Sequence, residues 1–378
     1  MSLVLSGGGA RAAYQAGVLS YIADNVGDPD FRIITGVSAG SINAAHLAND
    51  LSGFDSGVER LTRSWLELKS DDVYEARSSM NVIVGMLRGT REYDELFPRF
   101  GLVDVSPLRE TLKMRFDTED GHLKGIAEKI RTGRLKACSI AGTNYGTGQT
   151  VSWVQGAEIQ GWERPARVSV HEELTVEHIL ASSSLPFLFP AIQVGDDWYG
   201  DGGIRQAEPL SPAVHLGADR ILAISTRYGR SKREADRSAI EGYPPAAQIF
   251  GILLNAVFLD RLDQDAMTLT RLNDLLRSAP PWRRRGLRPI DLLVIRPSVD
   301  LGRMSGDFQH DLDGFLSLIS RGLGSKDTKS PDWLSMILFE QGYMERLVDI
   351  GYEDARSQHD RLIRFVDPDT PWEDDLDM

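Results

Sequence analysis

The sequence predicts a three-layer α/β/α fold with a mainly parallel central sheet, and three observations carry that prediction. Short apolar strand-like runs alternate with segments of helical period, sharp glycine turns join them, and their lengths suit a globular domain. Such alternation places helices on both faces of a sheet whose strands are buried on both sides. The longest apolar run, Gly251 to Leu259, is about half the roughly 18 residues that a spanning helix needs.

Taken in order, Leu3 to Leu5 reads as a buried strand, Gly7-Gly8-Gly9 as a turn, and Tyr14, Val18, Leu19 and Ile22 as one face of a helix. Phe31 to Thr35 is the next strand, followed by Gly36-Val37-Ser38-Ala39-Gly40 and a helix over Ile42 to Leu51. Leu135 to Thr143 and Ala218 to Thr226 are further buried strands, with a helix over Thr175 to Ser183 between them, and Ile290 to Ile295 is a late strand. Two regions break the rhythm. Residues 70–134 hold helix-like pieces, including Val82 to Leu87. Residues 230–290 run from the charged Arg230 to Arg237 through Tyr243-Pro244-Pro245 to an apolar helix at Ile249 to Leu262 and then Pro280 to Arg285. The organisation expected is a catalytic domain over 1–228 with an insertion at about 70–134, and a mostly helical elaboration over 229–378 that returns residues 290–296 to the sheet. The acidic tail with Asp374, Asp375 and Asp377 reads as a solvated end.

The 378 residues carry 42 basic and 55 acidic side chains, a net charge of −13. That balance argues against general nucleic-acid binding. The single Cys138 excludes an internal disulfide and a multi-cysteine zinc site. Met1 to Ser6 lacks the charged and apolar regions of a signal peptide. The expectation is a cytoplasmic chain that meets a membrane only peripherally.

Three motifs carry chemistry. In Gly36-x-Ser38-x-Gly40, small neighbours allow a serine nucleophile to sit on a tight strand-to-helix turn. The pattern arises by chance about 0.3 times in such a chain, so its position between strand and helix is what strengthens it. The plainer alternative is a helix N-cap serine. In Gly7-Gly8-Gly9-x-Arg11, successive glycines let backbone amides converge on an anion or oxyanion. Its alternative is a dinucleotide fingerprint, Gly7-x-Gly9-x-x-Ala12, but the second strand ends in Gly36-Val37-Ser38 without the acidic residue that fingerprint requires. Asp201-Gly202-Gly203 puts a carboxylate on a glycine turn, where it can serve as a general base or be only a turn. His215 completes a Ser…Asp…His order, yet its helix-to-strand setting favours a structural histidine.

Together, Leu3 to Arg11, Gly36 to Ser41 and Asp201 to Gly203 resemble the patatin-like phospholipase family in order and spacing, and Ala181 to Pro190 looks like its apolar stretch ahead of the aspartate. The resemblance covers residues 1 to about 225. It implies a Ser38–Asp201 dyad without histidine, an oxyanion hole from Gly7, Gly8, Gly9 and Arg11, and no metal or cofactor. Gly36, Gly40, Gly202 and Gly203 would support the motifs. Ala12 departs from the glycine the family commonly has there. The implied reaction is hydrolysis of a lipid or fatty-acyl ester through an acyl-enzyme. The same nucleophile would serve an acyltransferase or thioesterase, and a catalytically weak lipid-binding protein could keep the fold. Candidate acyl or membrane contacts are Val82 to Leu87, Phe187 to Phe189, Ile249 to Leu259 and Trp282 to Arg285, although segments of each kind are more often core packing or solvated loops.

Overall fold

The computed structural model describes residues 1–76, 101, 103–229, 246–258, 261–311 and 334–372. Val82 to Leu87, Arg230 to Arg237, Tyr243 to Pro245, Leu259 and the acidic tail lie outside the described residues.

Along the chain the strands are β1 (Ser2–Leu5), β2 (Ile33–Val37), β3 (Glu75–Ala76), β4 (Val103–Asp104), β5 (Ala137–Asn144) and β6 (Thr150–Gly156). Then come β7 (Glu163–Arg164), β8 (Arg167–His171), β9 (Ile192–Val194), β10 (Asp197–Asp201), β11 (Arg220–Ile224) and β12 (Asp291–Ile295). Ten of them form one mixed sheet in the order β12-β11-β1-β2-β5-β6-β8-β7, with β10 on β5 and β9 on β10. Pairing is parallel from β12 to β5, so these carboxyl ends share one rim.

The helices are α1 (Ala13–Asn25), α2 (Ala39–Asn49), α3 (Phe54–Glu67), α4 (Ser106–Arg115), α5 (Lys124–Arg131) and α6 (Val176–Ser182). They continue with α7 (Ser211–His215), α8 (Ala246–Phe258), α9 (Arg261–Ser278), α10 (Leu301–Ser305), α11 (Gln341–Ser357) and α12 (His359–Val366). The period-two alternation of strand side chains separates two cores. Leu3, Leu5, Leu222 and Ile224 face a large cluster with α1, α2, α3 and α11. Val4, Ile221 and Ala223 face a smaller one with α7 and α9. The chain is thus a three-layer α/β/α protein, as the alternating pattern predicts. Helix α11 crosses α1 at closest range where both carry glycine: a Cβ on Gly17 would stand 2.0 Å from Val348 O, and one on Gly351 2.1 Å from Tyr14 O.

Two local expectations shift. The second strand runs over Ile33–Val37 instead of starting at Phe31, and so delivers the chain directly to Ser38. Within the apolar segment expected as one helix, the described residues give α8 up to Phe258 and α9 from Arg261. Among the described residues, no helix is long and apolar enough to cross a membrane.

Candidate active site

Ser38 stands between the last residue of β2 and the first turn of α2, with φ 53° and ψ −136°. A non-glycine residue with positive φ is uncommon, and it persists only where its surroundings enforce it. Here Gly40 permits the close approach: a Cβ on it would lie 2.4 Å from both Leu5 O and Ser6 O. Gly36 packs under Gly40, and Gly7 lies against the Ser38 side chain, where an added Cβ would meet Ser38 Cβ at 2.8 Å. The elbow is pinned further by Ser41, whose amide and hydroxyl both donate to Ser38 O, at 2.8 and 2.6 Å.

The sheet's topology brings Asp201 to this serine. On one edge of β5, β2 pairs as far as Val37 opposite Ala141. The next position, Gly142, pairs with Asp201 at the end of antiparallel β10. Two strands therefore meet end to end on one neighbour, and the residues at their junction are Ser38 and Asp201. Ser38 Oγ donates to Asp201 Oδ2 at 2.6 Å, and the Gly203 amide donates to Asp201 Oδ1 at 2.8 Å. Gly202 lets the turn close over β5, since a Cβ there would stand 2.2 Å from Ala141 O. Both side chains are buried, Ser38 at 2% and Asp201 at 0% exposure. Burial pushes the Asp201 carboxyl up to about 7, although the bonds from Ser38 and Gly203 oppose the rise. Tyr145 lies within reach of the Asp201 charge, and burial together with that charge raises its phenol.

The glycine run sits beside Ser38. Gly8 abuts Thr226, whose hydroxyl donates to Gly7 O. Gly9, at φ 58°, begins a short 3-10 turn. The Gly8 and Gly9 amides have no protein acceptor among the described residues, whereas the Arg11 amide is spent on Gly8 O at 3.2 Å. The Arg11 side chain is buried and its Nε donates to Ser335 Oγ at 2.7 Å. Ala12 is buried in the large core, and its carbonyl accepts from Asn43.

A small apolar cavity of about 30 Å³ opens at Ser38 and Gly9, walled by Ile42, Trp65, Leu68, Leu108, Phe189 and Phe339. A buried polar relay ties this wall to the glycine run. Trp65 Nε1 donates to Asn43 Oδ1 at 2.7 Å, Asn43 Nδ2 to Gln15 Oε1 at 2.9 Å, and Gln15 Nε2 to Ser6 O at 2.9 Å. Sequence reasoning missed Gln15, Asn43, Thr226, Ser182 and Ser335, because their partners are 9 to 324 residues away and on other elements. One signal was available: Gln15 and Asn43 are polar residues inside otherwise apolar helical faces.

His215, His46 and His178 are engaged away from Ser38 and Asp201. His215 stacks on Trp162 with ring centroids 4.9 Å apart, and burial with Arg164 and Arg167 lowers its pKa. His46 bonds Gly57 O and His178 bonds Glu172. Cys138 is buried in the sheet and its thiol is pushed up to about 12 by that burial, which makes it a poor nucleophile.

A serine on a strand-to-helix elbow, a buried carboxylate bonded to it, a glycine loop and a small apolar cavity come together in a three-layer α/β protein. The family model for "Patatin-like phospholipase" matches residues 3–214, more than half of the chain, and the chain belongs to that family. It is 25% identical over 217 residues to the cGAMP-activated phospholipase of Pseudomonas aeruginosa, a match covering 56% of this chain and 55% of that protein. The match thus spans about half of that relative's length. Among solved structures it is similar to VipD from Legionella pneumophila (14% identity, TM-score 0.36, 95% of this chain and 66% of VipD). It is also similar to human GIVD cytosolic phospholipase A2 (12% identity, TM-score 0.45, 97% of this chain and 62% of that one).

Proposed function

We propose that this chain hydrolyses carboxylic esters of phospholipids or related lipids through a Ser38–Asp201 dyad. The observation that carries the reading is the 2.6 Å bond from Ser38 Oγ to a fully buried Asp201, at the mouth of an apolar cavity. Asp201 takes the Ser38 proton as Oγ attacks the acyl carbonyl carbon, and the Gly8 and Gly9 amides receive the oxyanion. Collapse expels the alcohol, which takes that proton from Asp201. Water then gives a proton to Asp201 and attacks the acyl-serine, and the fatty acid leaves as Oγ is reprotonated. Arg11 serves the loop by holding its geometry through Ser335, since its own amide is already engaged.

The ester reaches Ser38 from a lipid surface met by exposed apolar groups near the dyad. Phe187 is 83% exposed on the loop that also supplies Phe189 to the cavity. Helix α8 has no charged residue, and Ile249, Ile252 and Leu253 are exposed at i, i+3 and i+4. Phe258, at its end, packs against Gly203 beside the base. Trp282 to Arg285, the basic candidate, precedes β12 and so lies near the strands' amino ends, where Arg288 pairs with Asp219. That is the wrong end of the sheet for Ser38.

Ser38→Ala is expected to lower hydrolysis of a 4-nitrophenyl ester by at least about 10³-fold, and Asp201→Asn nearly as much. His215→Ala retains wild-type rates. A fluorophosphonate should label Ser38 in the wild type; an active, unlabelled Ser38→Ala protein would refute the dyad.

A further inference from the structure

We infer that Ser182 is a positioning residue that sets the geometry between nucleophile and base, an assignment that rests on the hydrolase reading above. Ser38 is held at positive φ with its amide buried. A buried amide needs an acceptor, or the turn relaxes toward one. The acceptor is Ser182 Oγ, which receives the Ser38 N–H at 3.0 Å. The same hydroxyl donates onward to Ala141 O at 2.7 Å. Ala141 is the residue of β5 opposite Val37, and its neighbour Gly142 is opposite Asp201. One hydroxyl therefore bolts the elbow to the strand position where β2 gives way to β10.

The same segment also holds the base. Two residues on, Ser184 O accepts the Asp201 amide at 3.0 Å. The end of α6 thus grips Ser38 through a side chain and Asp201 through the backbone. Within the run Ser182-Ser183-Ser184, the other two hydroxyls turn back into their own helix, Ser183 to Ile179 O at 2.8 Å and Ser184 to Leu180 O at 2.7 Å. Only Ser182 reaches across to the site, and it is fully buried. Ser182→Ala removes the acceptor for the Ser38 amide without touching the apolar cavity. The elbow then loses its anchor, and the Ser38–Asp201 bond loosens. That bond opposes the burial of the carboxyl, so its loss moves the acid limb of the rate profile to higher pH.

The test uses the full chain and a 4-nitrophenyl ester. Ser182→Ala is expected to lower kcat roughly 10- to 100-fold with KM within about 2-fold of wild type, and to shift the acid limb upward. Thr270→Ala, which removes an equally buried hydroxyl bonded to Ala266 O in α9, is the comparison and keeps the wild-type profile. Unchanged kcat in Ser182→Ala, or an equal loss in Thr270→Ala, overturns the assignment. If Ser182→Ala does not fold, Ser182→Cys, which keeps a weaker bridge, should show a kcat below wild type with the acid limb shifted upward. A folded Cys variant with wild-type kcat and acid limb also overturns it. An inactive wild type, or an active Ser38→Ala, fails the hydrolase reading instead.

Discussion

Burial of Asp201 raises its carboxyl toward neutral pH, and under the proposed dyad that sets the pH of catalysis while costing the fold stability. The carboxyl stands at about 7 because it is fully buried, and its two hydrogen bonds do not restore the ordinary value. As a base it must be ionised, so kcat/KM should rise with pH, with a half-point near 7 for the free protein; a half-point near 4 would contradict the assignment. Stability runs the other way. Between about 4 and 7 the unfolded chain releases a proton that the native state keeps, so stability falls as pH rises through that window and stays low above it. Asp201→Asn removes the buried charge. Its denaturation midpoint should therefore gain on wild type between pH 5 and pH 8, by an amount on the order of a few kcal/mol in folding free energy. A constant difference across that range would show that Asp201 is not a strained acid. At this scale the sequence is most legible, because Ser38, Asp201 and the glycines sit in motifs whose spacing reflects local backbone needs. Ser182, Gln15 and Asn43 are invisible there, since nothing within ten residues of Ser182 or Asn43 tells which carbonyl or amide it will meet.

Among the elements, the site is a consequence of strand ends. The run of parallel strands stops at β5, and antiparallel β10 fills the remaining edge of that strand, so that β2 and β10 face each other across one peptide position. The parallel strands were legible as apolar runs. Strands β6 and β8 were not, because β6 alternates Thr150, Val151, Ser152 and Trp153 while β8 is partly exposed, with only the two-residue β7 beyond it. The end of β2 was obscured by Gly36, a poor strand former that is present because Gly40 O would lie 2.5 Å from any Cβ placed there. The elbow is thus fixed by contact between backbones rather than by propensity. Gly40→Ala forces a methyl against two carbonyl oxygens of the glycine-loop strand. It should cost about 3 kcal/mol or more, read as a lower denaturation midpoint, and it should reduce fluorophosphonate labelling of Ser38 in the protein that still folds. Wild-type stability in that variant would mean that the loop and the elbow are not in contact.

For the whole molecule, residues from both ends of the chain complete the site. Ser335 holds Arg11, a Cβ on Gly9 would meet Met336 O at 2.0 Å, and Phe339 walls the cavity that Ser38 opens. The net charge of −13 bears on how such a molecule reaches lipid. Its overall field repels an anionic surface, so attraction must come from an apolar patch on the rim where the cavity opens. Phe187 is exposed two residues before the cavity-lining Phe189, and the uncharged α8, which packs against Gly203 through Phe258, exposes Ile249, Ile252 and Leu253. Inserting three aliphatic side chains is worth at most about 1.5–3 kcal/mol each, enough for reversible partitioning. Ile252→Asp with Leu253→Asp should therefore lower co-sedimentation with phosphatidylcholine vesicles at least about 10-fold, and lower hydrolysis of vesicle lipid with it. Hydrolysis of a soluble short-chain 4-nitrophenyl ester should stay at the wild-type rate, because neither side chain touches the dyad. Binding should be insensitive to salt and should not improve when phosphatidylglycerol is added. Equal losses on vesicle and soluble ester would place these residues in folding, and strengthened binding to anionic vesicles would return the basic Trp282 to Arg285 segment as the contact.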